Sequence, residues 1–120
     1  MKNISCIREE KDQLKIFSYE NALNEHASEF TSISRIVGLI GNEVRLKIIW
    51  LINEDSFCVC DLADILQMSV PAISQHLRKM KDVNIIDSSK VKQTIYYQIT
   101  EENKPIVNQV LALVSNKIIV

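Results

Sequence analysis

Glycine and proline are scarce in this chain, two of each among 120 residues, and Gly38 and Gly41 are too few to form a glycine-rich loop around a nucleotide phosphate. No Ser/His/Asp grouping and no paired carboxylates are spaced for nucleophilic or acid–base chemistry, which makes an enzyme the least supported class. No run approaches the ~18 consecutive apolar residues that a membrane-spanning helix needs, and the opening MKNISCIREEKDQ has no apolar stretch of signal-peptide length. The expected location is therefore the cytosol, with no membrane partner. Cysteine is also sparse. Three thiols, an odd number, argue against a closed disulfide framework and for metal binding or thiol redox chemistry in a reducing compartment. A strong charge of either sign is missing as well: the net charge is −1, which at first counts against a nucleic-acid partner.

What is present is organised around Phe57 to Asp82, FCVCDLADILQMSVPAISQHLRKMKD. Ser69 is a natural helix N-cap, and Pro71 falls in the first turn, where a missing N–H costs little. Ile73, Leu77 and Met80 then recur at i, i+4 and i+7 and line one face, leaving Ala72, Ser74, Gln75, Arg78 and Lys79 on the others. Upstream, Leu62, Ile65 and Leu66 predict a short amphipathic helix, joined through Gln67-Met68. Two short helices so connected predict a helix-turn-helix. Beyond it, Val83 to Ile86 is apolar apart from Asn84, Asp87 to Gln93 is mostly polar, and Thr94 to Ile99 alternates with period two, the pattern of a β-hairpin wing. Its tip, Ser89 to Gln93, lacks the glycine usual in a tight hairpin, so its turn type is not predicted. From Ser69 to Tyr97 five basic residues (Arg78, Lys79, Lys81, Lys90, Lys92) face two acidic ones (Asp82, Asp87). The basic footprint therefore lies on the reading surface despite the overall balance.

The rest of the chain predicts supporting helices around this motif. Met1 to Asp12 is polar and is expected to be a mobile arm carrying Cys6. Leu14 to Glu29 is weakly helical. Ile33, Ile36, Val37 and Ile40 mark a packing helix that Gly41 could end as a left-handed cap. Asn42 should cap the next helix, apolar on nearly all sides from Val44 to Ile52 and expected deep in the core, with Trp50 as packing. At the C-terminus, Glu101 and Glu102 would open a last helix whose Ile106, Val107, Val110, Leu111 and Val114 form a stripe that wants a partner.

Cys58 and Cys60, two residues apart, should straddle a helix start, where the macrodipole and free N–H groups favour a thiolate over a thiol of ordinary pKa ~8.5. Thiolates are what soft metals bind. The bland alternative is that each cysteine is a small buried hydrophobe. His26 reads as a solvated helix residue rather than an auxiliary ligand, and His76 sits within the reading helix.

CVCDLADIL, followed by SVPAISQHLRKM and a two-stranded wing ending in TIYYQIT, resembles the ArsR/SmtB family of metal-responsive repressors. The similarity runs from about Ser32 to Val114, and CVCDLA is similar to the thiolate branch, which holds the cadmium/lead and arsenic sensors. The resemblance implies a mainly α fold with a two-stranded β-hairpin, a winged helix-turn-helix spanning 13–120, dimeric through its N- and C-terminal helices. Ile33, Ile36, Val37, Ile40, Ile106, Val110, Leu111 and Val114 are the expected dimer contacts. It implies a repressor of double-stranded operator DNA, with Ser74 and Gln75 at base edges, Val70, Pro71 and Ala72 near the groove, His76 in DNA contact or local hydrogen bonding, and Arg78, Lys79, Lys90 and Lys92 on phosphates.

It further implies metal held by Cys58 and Cys60 with Cys6 donated across the dimer. Three departures qualify the metal. The cadmium/lead branch typically offers two N-terminal cysteines and this chain one, which leaves lead, or cadmium with an added oxygen or nitrogen ligand. The arsenic branch places a third cysteine where Ala63 stands, so arsenite would need Cys6; mercury and zinc are further alternatives. The zinc branch uses Asp and His on the last helix, where this chain has Glu102, Asn103, Asn108 and Ser115, so no zinc site is expected there. Two rival readings use the same cysteines: a repressor responsive to thiol oxidation or sulfane sulfur, and a metal-buffering protein with a degenerate DNA surface.

Overall fold

The computed structural model describes residues 5–115. The chain divides into two compact units, 1–33 and 34–120.

In the first unit, Asp12 is extended and its carboxylate accepts from Lys15 N–H at 3.0 Å, which starts α1 (Gln13–Glu25). No residue of α1 is buried: Leu14, Phe17, Tyr19 and Leu23 are all exposed. At His26 the backbone leaves helical geometry and a second helix, α2 (Ala27–Ile40), begins. The weak helix expected over 14–29 therefore stops at Glu25, and residues 27–29 open the packing helix that carries Ile33 to Ile40. His26 Nδ1 lies 3.0 Å from Glu29 Oε1 on the exposed surface.

In the second unit the core gathers Ile36 and Ile40, Ile48, Ile49 and Ile52, Leu62 and Ala63, Ile73, Leu77 and Met80, Ile85, Ile86 and Ile99, and Val107 and Leu111. The helical stripes read from the sequence thus converge, but not every member faces the same way. Ile36, Ile40 and Leu111, expected as dimer contacts, are buried in this core, because a stripe wider than ~100° on a helix packs one edge inward and leaves the other out. Ile106 and Val110 are half-buried, whereas Ile33 (49% exposed), Val37 (47%) and Val114 (50%) remain on the surface.

Gly41 departs from expectation: no glycine has a positive φ, and the Gly41 N–H closes the last turn of α2 on the Val37 carbonyl at 2.9 Å. Asn42, in extended conformation, makes the turn instead, its side-chain oxygen accepting from Arg45 N–H at 3.0 Å to start α3 (Glu43–Glu54). Only Ile48, Ile49 and Ile52 of α3 are buried, so that helix is less immersed than expected, and Trp50 is 37% exposed.

The reading motif follows expectation closely. α4 (Val59–Leu66) ends at Gln67, which takes the left-handed conformation (φ 55°, ψ 47°), and Ser69 caps α5 (Val70–Asp82) by accepting from Ala72 N–H at 3.2 Å. The wing pairs β1 (Ile86–Val91) with β2 (Thr94–Ile99) antiparallel, from Ile86↔Ile99 to Val91↔Thr94. Its first strand takes only Ile86 from the apolar Val83–Ile86 stretch and lies mostly on the polar Asp87–Lys90 segment. A two-stranded ribbon buries little, and the apolar Ile85 is instead drawn into the core beside Ile86. The turn is the two-residue Lys92-Gln93, with Lys92 at φ 58°, a conformation in which glycine would be unstrained.

The base of the wing is latched to the start of α6 (Lys104–Ser115) through Asn84, another left-handed residue. Its carbonyl accepts from Thr100 Oγ1 at 2.8 Å and from Asn103 Nδ2 at 2.7 Å, which satisfies two buried polar side chains. Glu101 and Glu102 lie in the turn before α6 and not in its first turn: Glu101 pairs with Lys104 at 2.8 Å, and Glu102 accepts from Asn84 Nδ2 at 2.6 Å. Among the described residues no helix is long and apolar enough to cross a membrane.

Candidate nucleic-acid interface and metal centre

α5 is held by Ile73, Leu77 and Met80, so its remaining faces are free to read. Val70, Pro71, Gln75, Arg78 and Lys79 are exposed, and Ala72, Ser74 and His76 are half-buried. Pro71 in the first turn removes an N–H that would have had no intrahelical partner, and no acidic residue stands in that turn. On the wing, Lys90 and Lys92 are exposed. The expected DNA contacts are thus spread over one helix and one hairpin tip with no internal ion pair among them.

Two further residues stand on this surface: Lys81, already counted in its basic footprint, and Tyr97, which the sequence reading did not assign to it. Lys81 Nζ donates to Ser88 Oγ at 2.9 Å and tethers the end of α5 to β1. Ser74, Leu77, Arg78, Lys81 and Tyr97 then line a concavity of about 300 Å³ between reading helix and wing. Lys81 was accessible to helical arithmetic, since 74, 78 and 81 share one face. Tyr97 was not, because the wing's register against α5 is a tertiary fact.

His76 is drawn away from a purely outward role. Its Nδ1 lies 3.3 Å from Arg45 Nη1, and burial, with Arg45 and Lys79 nearby, holds its pKa below the ordinary value. Arg45, unmarked by any sequence motif, is half-buried and also donates from Nε to the Leu39 carbonyl at 2.6 Å.

The thiol pair sits as its spacing predicted, across a helix start. Cys58 is the extended N-cap of α4 and Cys60 the second helical residue; both thiols are free, the first half-buried and the second exposed. Asp61 accepts from the Cys58 N–H at 3.3 Å, fixing the backbone that carries the first thiol. Cys6 is free and exposed. Two accessible sulfurs two residues apart suit a soft cation, so the donor chemistry fits a thiophilic ion. Among the described residues of one chain, however, no three Cys, His, Asp or Glu side chains are gathered as a metal site. A ligand set of three or more needs either a rearrangement or a donor from a second copy.

Packing ties this pair to the reading helix. Leu62 and Ala63 of α4 are buried in the same core as Ile73 and Leu77 of α5. The helix that carries the thiols and the reading helix therefore share one close-packed core.

Comparison with known proteins agrees with this geometry. Residues 42–88 match the bacterial regulatory protein, arsR family. The chain is 37% identical over 98 residues to the cadmium resistance transcriptional regulatory protein CadC of Listeria innocua, covering 80% of this chain and 76% of that one. It is 27% identical over 86 residues to the arsenical resistance operon repressor of Staphylococcus xylosus, covering 72% and 83%. Among solved structures, the transcriptional regulator HlyU of Vibrio vulnificus superposes with a TM-score of 0.66 at 27% identity, over 77% of this chain and 97% of that one.

Proposed function

The chain belongs to the arsR family of bacterial regulatory proteins, and from that premise we propose that it represses an operator as a homodimer and releases it when a thiophilic metal ion of the lead or cadmium kind binds its cysteines. It is a transcriptional regulator and not an enzyme. The observation that carries the finer reading is the placement of Cys58 and Cys60 at the N-terminus of α4, the first helix of the reading motif.

Cys58 and Cys60 would hold the ion, and Cys6 of a second copy would complete a three-sulfur set. The bound ion would supply a rigid tie between otherwise separate segments. Everything else falls to the chain's own residues: Asp61 fixes the Cys58 backbone, Leu62 and Ala63 carry a displacement into the core, and α5 changes its presentation to the groove. An ion that binds the non-reading arrangement better than the reading one weakens DNA affinity, and DNA weakens metal affinity by the same factor. Such couplings are typically worth about 1–3 kcal/mol, or ~5–150-fold in affinity. Ile33, Val37 and Val114 are each exposed apolar side chains that a contact with a second copy would cover.

The test is fluorescence anisotropy of the reduced, metal-free protein on duplex DNA from upstream of its own gene, repeated with stoichiometric lead or cadmium. Tight binding that collapses with metal is expected, and Cys58→Ser or Cys60→Ser should keep the binding and lose the collapse. Binding indifferent to both metals would overturn the metal reading, and an added oxidant arm would then show whether the same thiols respond by disulfide formation. A folded Cys58→Ser protein that no longer binds DNA would also overturn it.

A further inference from the structure

Arg45 makes two contacts that no local sequence rule predicts. Its Nε donates at 2.6 Å to the Leu39 carbonyl, one of the last in α2 and so without an intrahelical partner, where a cation is also favoured by the helix dipole. Its Nη1 lies 3.3 Å from Nδ1 of His76, in the middle of α5. One half-buried guanidinium thus joins the end of α2, the start of α3 and the reading helix.

The second contact has a chemical consequence. A guanidinium is always charged and only donates, so the imidazole nitrogen facing it must accept. A neutral imidazole has one accepting nitrogen and one N–H, and an imidazolium has no acceptor at all. If Nδ1 accepts from Arg45, the ring is neutral and its hydrogen is on Nε2. The charged groups bearing on the ring are Arg45 from α3 and Lys79 from α5 itself; with burial as the larger cause, both disfavour a second proton.

We propose that Arg45 is a positioning residue that holds His76 as the neutral Nε2–H tautomer, so that the reading helix presents one fixed donor to a base-edge acceptor in the operator, such as a purine N7. This rests on α5 being the DNA-reading helix. Arg45 itself touches no base. It acts by choosing which of two chemically different faces His76 shows, and by anchoring that choice to the end of α2.

Two measurements test this. The first uses ¹⁵N-labelled free protein at pH 7.5, where ring nitrogen shifts report the tautomer directly. The Nε2–H form is expected in the wild type, with a mixture of tautomers in Arg45→Gln. An Nδ1–H ring in the wild type, or an identical ring spectrum in Arg45→Gln, would overturn the assignment.

The second compares anisotropy on the upstream duplex with that on a scrambled duplex of equal length. Loss of a good base contact typically costs ~5–150-fold in discrimination. Arg45→Lys keeps the cation but not the fork, and should weaken upstream binding about tenfold while scrambled binding changes less than about twofold and the salt slope is unchanged. His76→Gln, whose amide N–H stands where Nε2–H stood, should retain most of the affinity, and His76→Asn should not. Should Arg45→Lys fail to fold, the His76 pair decides the matter alone. Equal losses on both duplexes would overturn the proposal in favour of a phosphate contact. A wild type that binds neither duplex would sink the repressor reading and with it the DNA half of this one, while the ring spectrum judges the tautomer independently.

Discussion

α1 and α5 are both thirteen residues long, and both start at a side-chain oxygen that accepts from the backbone N–H three residues on, Asp12 to Lys15 in one and Ser69 to Ala72 in the other. Yet α5 buries Ile73, Leu77 and Met80 completely or nearly so, while α1 buries nothing and leaves Phe17 63% exposed. A cap says where a helix begins; it does not say whether the helix is held. Isolated helices of this length are marginal in water, and stability comes from packing an apolar face. α5 meets that condition within its own unit. α1 carries apolar groups with no such burial.

The comparison can be broken most sharply at the apolar positions. Leu77→Ala should destabilise the protein by about 2–5 kcal/mol in urea or thermal unfolding, through lost burial and a residual cavity. Phe17→Ala should change unfolding of dilute protein by less than about 0.5 kcal/mol, as surface substitutions do, and show itself in sedimentation at higher concentration instead. A Phe17→Ala loss as large as that of Leu77→Ala would mean that α1 is packed after all.

The caps provide a finer comparison. Ser69→Ala should cost about 1 kcal/mol, the ordinary worth of an N-cap, because α5 is part of the cooperative core. Asp12→Ala removes the same kind of bond from a helix that buries none of its residues. It should therefore leave the main transition in place and lower only the far-ultraviolet helical signal. Equal shifts of the main transition would show the two helices to be one cooperative unit.

A smaller effect is expected at the wing, where a lysine occupies a conformation that favours glycine. Lys92→Gly should raise stability by up to about 1 kcal/mol, the relief of left-handed strain less the added freedom of glycine when unfolded. Loss of stability on that change would mean that the Lys92 side chain makes a contact worth more than the strain.

His76 adds a pH dependence that sharpens the contrast from the α5 side. Its folded pKa is lowered, so the unfolded chain takes up a proton near the ordinary ~6.5 while the folded ring still resists it. Its effect on stability is absent above about pH 7 and becomes destabilising as pH falls through ~6.5 toward the lower folded value. Comparing urea midpoints at pH 7.5 and 5.5 for the wild type and His76→Gln should show a smaller fall in the variant. An identical fall would remove His76 as a contributor.

Much of the reading motif was legible from local chemistry. Ser69 and Asn42 start their helices with the oxygen expected of them, Ile73, Leu77 and Met80 point inward as their spacing requires, and Cys58 and Cys60 straddle a helix start. Hydrogen bonds spanning three residues and a 3.6-residue period are properties of a few neighbouring positions, so the sequence carries them in full. The resemblance quoted for CVCDLADIL and SVPAISQHLRKM pointed to the family that the comparisons then bore out.

Tertiary structure alone decided which edge of each apolar stripe turned inward. Ile36, Ile40 and Leu111 went to the core while Ile33, Val37 and Val114 stayed outside, and nothing in the period of the stripe distinguishes the two sets. It moved β1 onto a polar segment, because pairing with β2 and not apolarity defines a strand in a two-stranded ribbon. It replaced a glycine cap at Gly41 by a turn at Asn42, and it joined Asn84 to Thr100 and Asn103 across the base of the wing. It also brought Arg45 to His76 across 31 positions of chain. Each of these rests on contact between residues remote in sequence, where period and propensity carry no information. The sequence by itself therefore determined what the elements are and which chemistry they bear, and packing determined which of those side chains meet.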